Sequence, residues 1–507
     1  MVPHPRIHPG SLAHLVMGFL GAAFFPNGLG GQTPETVSSV EWRTRVAGEV
    51  AAVVDTGDTV AMRRFVDERI SPAARGERTR EADIRLLSRL YKQSGGLTVR
   101  EIEPTRTGVL ATLWSRSSDM GTLLFVQPDP ADSTKVLGLE VLRAFHPDAE
   151  PRPIEIANAD DVALAVDAEA ERLASTNVLS GVVLVGLGDS VVTERAFGLA
   201  DRVTGAPIDP ETRFQLASTG KMFTSVLIAT FVEEGRLAFD DSLAALLPDQ
   251  PWTPDARAIT VRQLLSHTSG IGELWDAPGW DASREYATST ELVSLFAGRD
   301  LLFPPGSQLA YSNAGYEVLG AIAESLCGKP YAECVAERVF APAGITGTGF
   351  GSLRHPDVPL AIPYAHGEDD YFEIDSLVSF VEHLPAKGSA AGGALGTARD
   401  LFRFARALHA GRIVSFAMVD TLTSALNVIP SPLAESYGYG FESFELDGLK
   451  VWGHGGGGGR AGICTKMSSF ADGSWTVVVL TNHDPPTCEL LNRAIVEAVG
   501  AVGGRDL

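Results

Sequence analysis

The chain has 507 residues, 45% of them hydrophobic, and a formal net charge of −22. That length predicts two or three domains. So acidic a balance excludes nucleic acid as a partner, because phosphate neutralisation needs a basic surface, and the acidity reads as solubility.

The N-terminus runs Met1-Val2-Pro3-His4-Pro5-Arg6 and then turns apolar over residues 12–25. A basic start before a short apolar run predicts a secretory signal peptide over residues 1–33 and an exported, periplasmic or extracellular protein. A short membrane anchor and a misassigned start codon are the alternatives. A stable membrane span is not expected, since crossing a bilayer takes about 20 apolar residues. The cysteines Cys327, Cys334, Cys464 and Cys488 are too few for a disulfide framework and lack zinc-type spacing. Cys327 and Cys334 flank a Gly328-Lys329-Pro330 turn, and either pair after export or stay as buried thiols.

Helical periodicity over residues 36–55, 58–70 and 80–93 is followed by strand-like runs at 97–102, 108–114, 122–126 and 136–142. Helices first and a meander after predict a small α+β domain over 36–150. Its element order is similar to that of cone-shaped domains of the nuclear-transport-factor-2 type, and a structural or substrate-presenting role is expected. Pro151-Arg152-Pro153 is a stiff linker.

A second domain is expected over 156–505. It opens with a helix at 158–174 and a hairpin of 180–185 with 191–197. The chain then reaches Phe214-Gln215-Leu216-Ala217-Ser218-Thr219-Gly220-Lys221-Met222-Phe223. Apolar residues on nearly every face follow, and Gly235 ends the run, so this is a buried helix with Ser218, a good N-cap type, at or near its first turn. Residues i and i+3 share a face, so Ser218 and Lys221 meet in one pocket. A desolvated lysine with a lowered pKa activates a serine. The chain has only seven lysines, and one inside an apolar helix points to chemistry. Further on, Ser266-His267-Thr268-Ser269-Gly270 forms a tight loop, with His267 read as the residue tying it down. Tyr311-Ser312-Asn313 lies on a loop before a helix. Tyr311 shuttles protons if a cation lowers its pKa, and Asn313 offers an amide grip. Gly453-His454-Gly455-Gly456-Gly457 lies beside strands, where glycines let substrate approach the backbone. No Gly-Lys-Ser/Thr follows, so it is not a phosphate loop. No His-Glu-x-x-His occurs, and neither metal nor cofactor is expected. No Gly-x-Ser-x-Gly occurs, which excludes an α/β-hydrolase.

Ser-x-x-Lys, Tyr-x-Asn and His-x-Gly in this order resemble the serine β-lactamase and penicillin-binding-protein superfamily, in its class C β-lactamase-like branch with D-peptidases and esterases. The resemblance covers roughly 180–499. It implies an α/β fold with an antiparallel sheet flanked by helices and an all-α subdomain. It also implies residue roles. Ser218 is the acylated nucleophile, and Lys221 and Tyr311 form a coupled acid–base pair. Asn313 holds the acyl-side amide. His454 stands where class C enzymes carry lysine, and its neutrality near pH 7 weakens the case for β-lactam hydrolysis. Backbone N–H groups of Ser218 and Gly457 form the oxyanion hole, with Gly456 and its neighbours leaving a permissive cleft edge. The expected substrate is a small molecule or peptide, cell-wall derived: an ester, a D-amino-acid peptide or a β-lactam. A non-hydrolytic sensor of cell-wall fragments or β-lactams is the alternative.

Overall fold

A computed structural model describes residues 37–502, apart from 72–79, 105–108, 118–120, 130–131, 133–134, 146–151, 157, 367–376, 429–435, 459–460 and 486. The expected signal segment, Pro151 and Gly459 of the glycine run lie outside the described residues.

The first unit has the predicted order. Helices α1 (Val37–Asp55), α2 (Thr59–Arg69) and α3 (Arg80–Ser94) precede strands β1 (Leu97–Pro104), β2 (Val109–Ser115), β3 (Gly121–Pro128) and β4 (Val136–Phe145). The strands form an antiparallel meander, β1-β2-β3-β4. Alternation places Val109, Ala111 and Leu113 on one face, where they pack with Val46, Val50 and Val54 of α1 in one core.

The larger unit is built on an eight-stranded antiparallel sheet. Helix α4 (Val162–Ser175) leads into the hairpin β5 (Gly181–Leu187) and β6 (Ser190–Phe197). Helices α5 (Lys221–Glu233), α6 (Ser289–Val293), α7 (Asn313–Cys327) and α8 (Ala398–His409) follow with shorter pieces between them. Strands β7 (Glu442–Leu446), β8 (Leu449–Gly457), β9 (Cys464–Phe470) and β10 (Trp475–Thr481) then precede helix α9 (Thr487–Val502). Strand order is Asn427–Val428, Ser436–Tyr437, β7, β8, β9, β10, β5, β6. The chain's late strands therefore close onto its early hairpin, with Val185 opposite Val477. One face packs against α4 and α9 through Val166, Leu173, Val183, Val479, Leu491 and Ile495. The other packs against the helical region, with α5 at its centre. Every residue of α5 from Lys221 to Phe231 is buried, and Phe223 meets Phe340 and Phe404 edge-on at 5.0 Å each. Gly235 at φ +68° ends that run, as its freedom from Cβ clashes permits. The mixed α/β architecture is the one expected.

Two disulfides form, Cys327–Cys334 and Cys464–Cys488. The first was one of two open readings. The second was unforeseen, since 24 residues and a strand separate its partners.

Candidate active site

Ser218 sits next to the first turn of the following helix, as expected, but is not its N-cap. It lies in a 3-10 turn, Ala217–Gly220, and Gly220 is the cap residue of α5. The cause lies one residue upstream. Ala217 adopts φ +45°, a left-handed conformation that costs a non-glycine residue on the order of 1–3 kcal/mol. It is held by its N–H to Gln215 Oε1 (2.8 Å) and by its carbonyl, which accepts from Gly393 N–H (3.0 Å). The turn leaves the Ser218 hydroxyl facing Lys221.

Lys221 has no exposed surface. Its Nζ lies 3.2 Å from Ser218 Oγ, 2.7 Å from Asn313 Oδ1 and 2.6 Å from the Ala391 carbonyl. Burial drives its pKa from 10.5 down to about 7, against the opposing pull of Glu273 and Glu317. A neutral amine has two N–H bonds and one lone pair. The two shorter contacts are to pure acceptors and take the N–H bonds. The lone pair is left for the Ser218 hydroxyl.

The Tyr311 ring lies beside Lys221, whose Nζ sits 4.7 Å from its centroid, and its phenol is near enough to the Ser218 hydroxyl for the serine to pull its pKa down. The condition set for it above, a pKa lowered by a cation, is not met. Burial pushes the Tyr311 phenol well above its ordinary value, more than Ser218 pulls it down. Tyr311 is therefore a proton donor in the resting site.

Ser312 caps α7 by accepting from Gly315 N–H at 3.0 Å, so Asn313 is the first helical residue. Its side-chain amide has a partner at each end: Oδ1 accepts from Lys221, and Nδ2 donates to Glu273 Oε2 at 3.2 Å. The Asn313 N–H donates to Glu273 Oε1 at 3.3 Å. Burial raises the Glu273 carboxyl above its ordinary range, while Asn313 and Lys221 oppose the shift.

His454 is 2% exposed, and its ring nitrogens are engaged by Tyr437 and the Gly455 carbonyl. Ser312 N–H donates to His267 Nδ1 (3.2 Å), so the His267 proton sits on Nε2 and donates to Tyr437 Oη (3.1 Å). Tyr437 then donates to His454 Nε2 (3.2 Å), and His454 Nδ1–H donates to the Gly455 carbonyl. Each link fixes the next tautomer. Burial lowers the His454 pKa to about 4, with Glu442 opposing, and lowers that of His267 well below its usual value. Both imidazoles are neutral at pH 7. The reading of His267 as a loop tie agrees with the geometry. Its carbonyl also accepts from Ala310 N–H at 2.9 Å, and its ring lies 4.2 Å from that of Tyr311.

The permissive glycine edge also needs correcting. A Cβ at Gly456 would come within 2.5 Å of the Leu216 carbonyl and of Thr465 Oγ1. Gly456 is glycine because β8 presses against the serine turn, not because space is left there. Gly457 is half-buried at φ +130°, a conformation that needs glycine.

Three participants were missed by sequence reasoning: Glu273, Tyr437 and Glu317. Glu317, fully buried, accepts from Ser289 Oγ (2.9 Å), Ser389 Oγ and Ala391 N–H (3.0 Å). It holds the loop whose Ala391 carbonyl accepts a hydrogen bond from Lys221 Nζ. An acidic residue inside an otherwise apolar helix was the signal available for it. No group of three or more His, Cys, Asp or Glu able to hold a metal occurs among the described residues.

An antiparallel sheet packed against a buried helix that begins at Lys221, with Ser218 in the turn before it and Tyr311 beside the lysine, defines a serine hydrolase. The family model described as Beta-lactamase matches residues 165–500, and the chain belongs to that family. It is 29% identical to penicillin-binding protein 4* of Bacillus subtilis, over 62% of this chain and 71% of that one. It is 27% identical to a D-aminopeptidase of Cereibacter sphaeroides, over 66% of this chain and 62% of that one. Among solved structures, the penicillin-binding protein from Bacillus halodurans superposes with a TM-score of 0.56 at 25% identity. That match covers 69% of this chain and all of the other.

Proposed function

We propose that the protein is an exported hydrolase that cleaves an ester, a D-amino-acid peptide or amide, or a β-lactam-like amide through an acyl-enzyme on Ser218. The carrying observation is the Lys221 amine. It is buried, has a pKa of about 7, and its two N–H bonds are committed to Asn313 and Ala391. Lys221 takes the Ser218 proton as Oγ attacks the substrate carbonyl. The Ser218 and Gly457 N–H groups receive the oxyanion. On collapse, the leaving group takes the Tyr311 proton and the Lys221 ammonium restores it. Water then attacks the ester, and the proton path runs in reverse. The two disulfides favour an oxidising compartment, in line with the basic and apolar start of the chain. The neutral His454 supplies no cation for a β-lactam carboxylate, so peptides, amides and esters rank above β-lactams. The small first unit serves a structural or substrate-presenting role.

The test is turnover of a panel of p-nitrophenyl esters, D-amino-acid p-nitroanilides and a chromogenic cephalosporin, by the wild type and Ser218→Ala. Hydrolysis that disappears in the variant is expected. Hydrolysis retained by folded Ser218→Ala would remove the serine from the chemistry. Acylation without turnover would instead favour a sensor.

A further inference from the structure

We propose that a groove outside the serine site is a second ligand site, and that it takes a small aromatic ring carrying a carboxylate. The groove is formed mainly by the segments 274–292 and 385–389 and encloses about 520 Å³ with its open mouth, a size that suits a small molecule. None of Ser218, Lys221, Tyr311, Asn313 or His454 lines it. Its two sides are tied together. Ala386 N–H donates to the Ala282 carbonyl at 2.8 Å, and Arg354 Nη1 donates to the same carbonyl at 3.0 Å. Arg354 Nη2 reaches the Leu384 carbonyl at 3.3 Å. Behind the groove, the hydroxyls of its lining residues Ser289 and Ser389 both donate to Glu317. The groove therefore backs onto the loop that holds Lys221 without containing it. A groove held open in this way costs its ligand little ordering.

The lining sets the chemistry of the ligand. One segment is aromatic: Trp275 meets Trp280 edge-on at 4.9 Å, and Trp280 stacks on Tyr286 at 5.4 Å. Trp275 is 40% exposed. A further ring extends such an array by edge-to-face or offset contact. Charge supplies the rest. The chain has a net charge of −22, yet no aspartate or glutamate is among the described residues that line the groove. Two cations line it, and they differ. Arg284 is committed, since it pairs with Glu291 and lies 4.8 Å from the Tyr286 ring centroid. Lys387, on the other segment, is half-buried and has no ion pair among the described residues. A half-buried ammonium without a counter-charge favours an anionic ligand, because an uncharged one covers it and leaves it unpaired. One uncommitted cation matches a monoanion, so a carboxylate fits better than a phosphate dianion. A free aromatic acid and the C-terminal aromatic residue of a peptide both present this chemistry.

The test is isothermal titration of the wild type, Lys387→Gln and Trp280→Ala. The probes are 3-phenylpropionate for the free acid, N-acetylphenylalanine for the peptide end, the uncharged amide of each, and hexanoate as a carboxylate without a ring. In the wild type an aromatic carboxylate is expected to bind about tenfold tighter than its amide, the weight of one hydrogen bond to a charged group. It should exceed hexanoate by a similar factor. The tighter of the two carboxylates names the source. Lys387→Gln should bring carboxylate and amide to equal affinity, and Trp280→Ala should remove the advantage over hexanoate. No binding of either aromatic carboxylate, equal binding of carboxylate and amide by the wild type, or ratios unchanged in the variants overturns the proposal. The ligand should also leave Ser218 open to a neutral fluorophosphonate, read by intact mass. Protection of Ser218 would place the ligand in the serine site and overturn the proposal. A wild-type protein that takes no label contradicts the serine-hydrolase reading alone, and the titrations still decide the groove.

Discussion

The buried lysine sets the pH dependence of the reaction. An ordinary lysine, at 10.5, leaves about one amine in three thousand neutral at pH 7. Lys221, with a pKa of about 7, leaves about half neutral. Bringing the amine to that state corresponds to about 5 kcal/mol of differential stabilisation, supplied by burial in the apolar helix core. The perturbation is pH, and the assay is the second-order rate of Ser218 modification by an uncharged fluorophosphonate from about pH 5 to 10. Such a reagent does not titrate, so the profile reports the enzyme. The rate should rise with unit slope to a midpoint near 7 and then stay level, because Tyr311 remains protonated across the range. A rate still climbing above about pH 9, or level across the whole range, would refute the argument. The sign for stability follows from the same shift. Between about pH 7 and 10.5 the unfolded chain binds more protons at this position, so its contribution to stability rises with pH across that window. Below that window both states are protonated and the burial penalty is fully present.

Other outcomes follow from individual contacts. Glu317→Gln removes a charge that raises the Lys221 pKa, so the midpoint of the modification profile should move to lower pH; a shift upward would contradict the electrostatic assignment. Gly456→Ala places a Cβ 2.5 Å from the Leu216 carbonyl, which must displace the serine turn. kcat/KM should fall about a hundredfold in a folded protein, and an unchanged value would show that the turn is not held by β8. Reducing the disulfides should lower Tm. Loop-closure entropy gives about 3.5 kcal/mol for Cys464–Cys488 and about 2.5 kcal/mol for Cys327–Cys334, so Cys464→Ser with Cys488→Ser should lower Tm more than the other pair of changes.

Much of the site was legible because its signals are local. Ser218 stands three residues before Lys221, which opens a helix buried on every side, and that apolar run can be read from hydropathy alone. The sheet strands alternate or run continuously apolar, as β10 does. What stayed hidden depends on contacts distant in sequence. Glu273 comes from a stretch without periodicity, 40 residues before its partner Asn313. Tyr437 matters only because His267 and His454, 170 and 17 residues away, converge on it. The direction of the Tyr311 pKa was not legible for a physical reason: the burial that raises it is a property of the whole fold, not of a motif. The position of Ser218 before the helix rather than at its cap depends on Ala217, whose left-handed backbone nothing in its residue type announces.

The most direct test of the central claim is intact-mass analysis of the protein quenched during turnover of a slow ester, with Ser218→Ala alongside. The account predicts one acyl adduct per chain, mapped by peptide digestion to Ser218 and absent from the variant. A wild-type protein that turns over the ester with no adduct, or an adduct mapping elsewhere and persisting in Ser218→Ala, would contradict it.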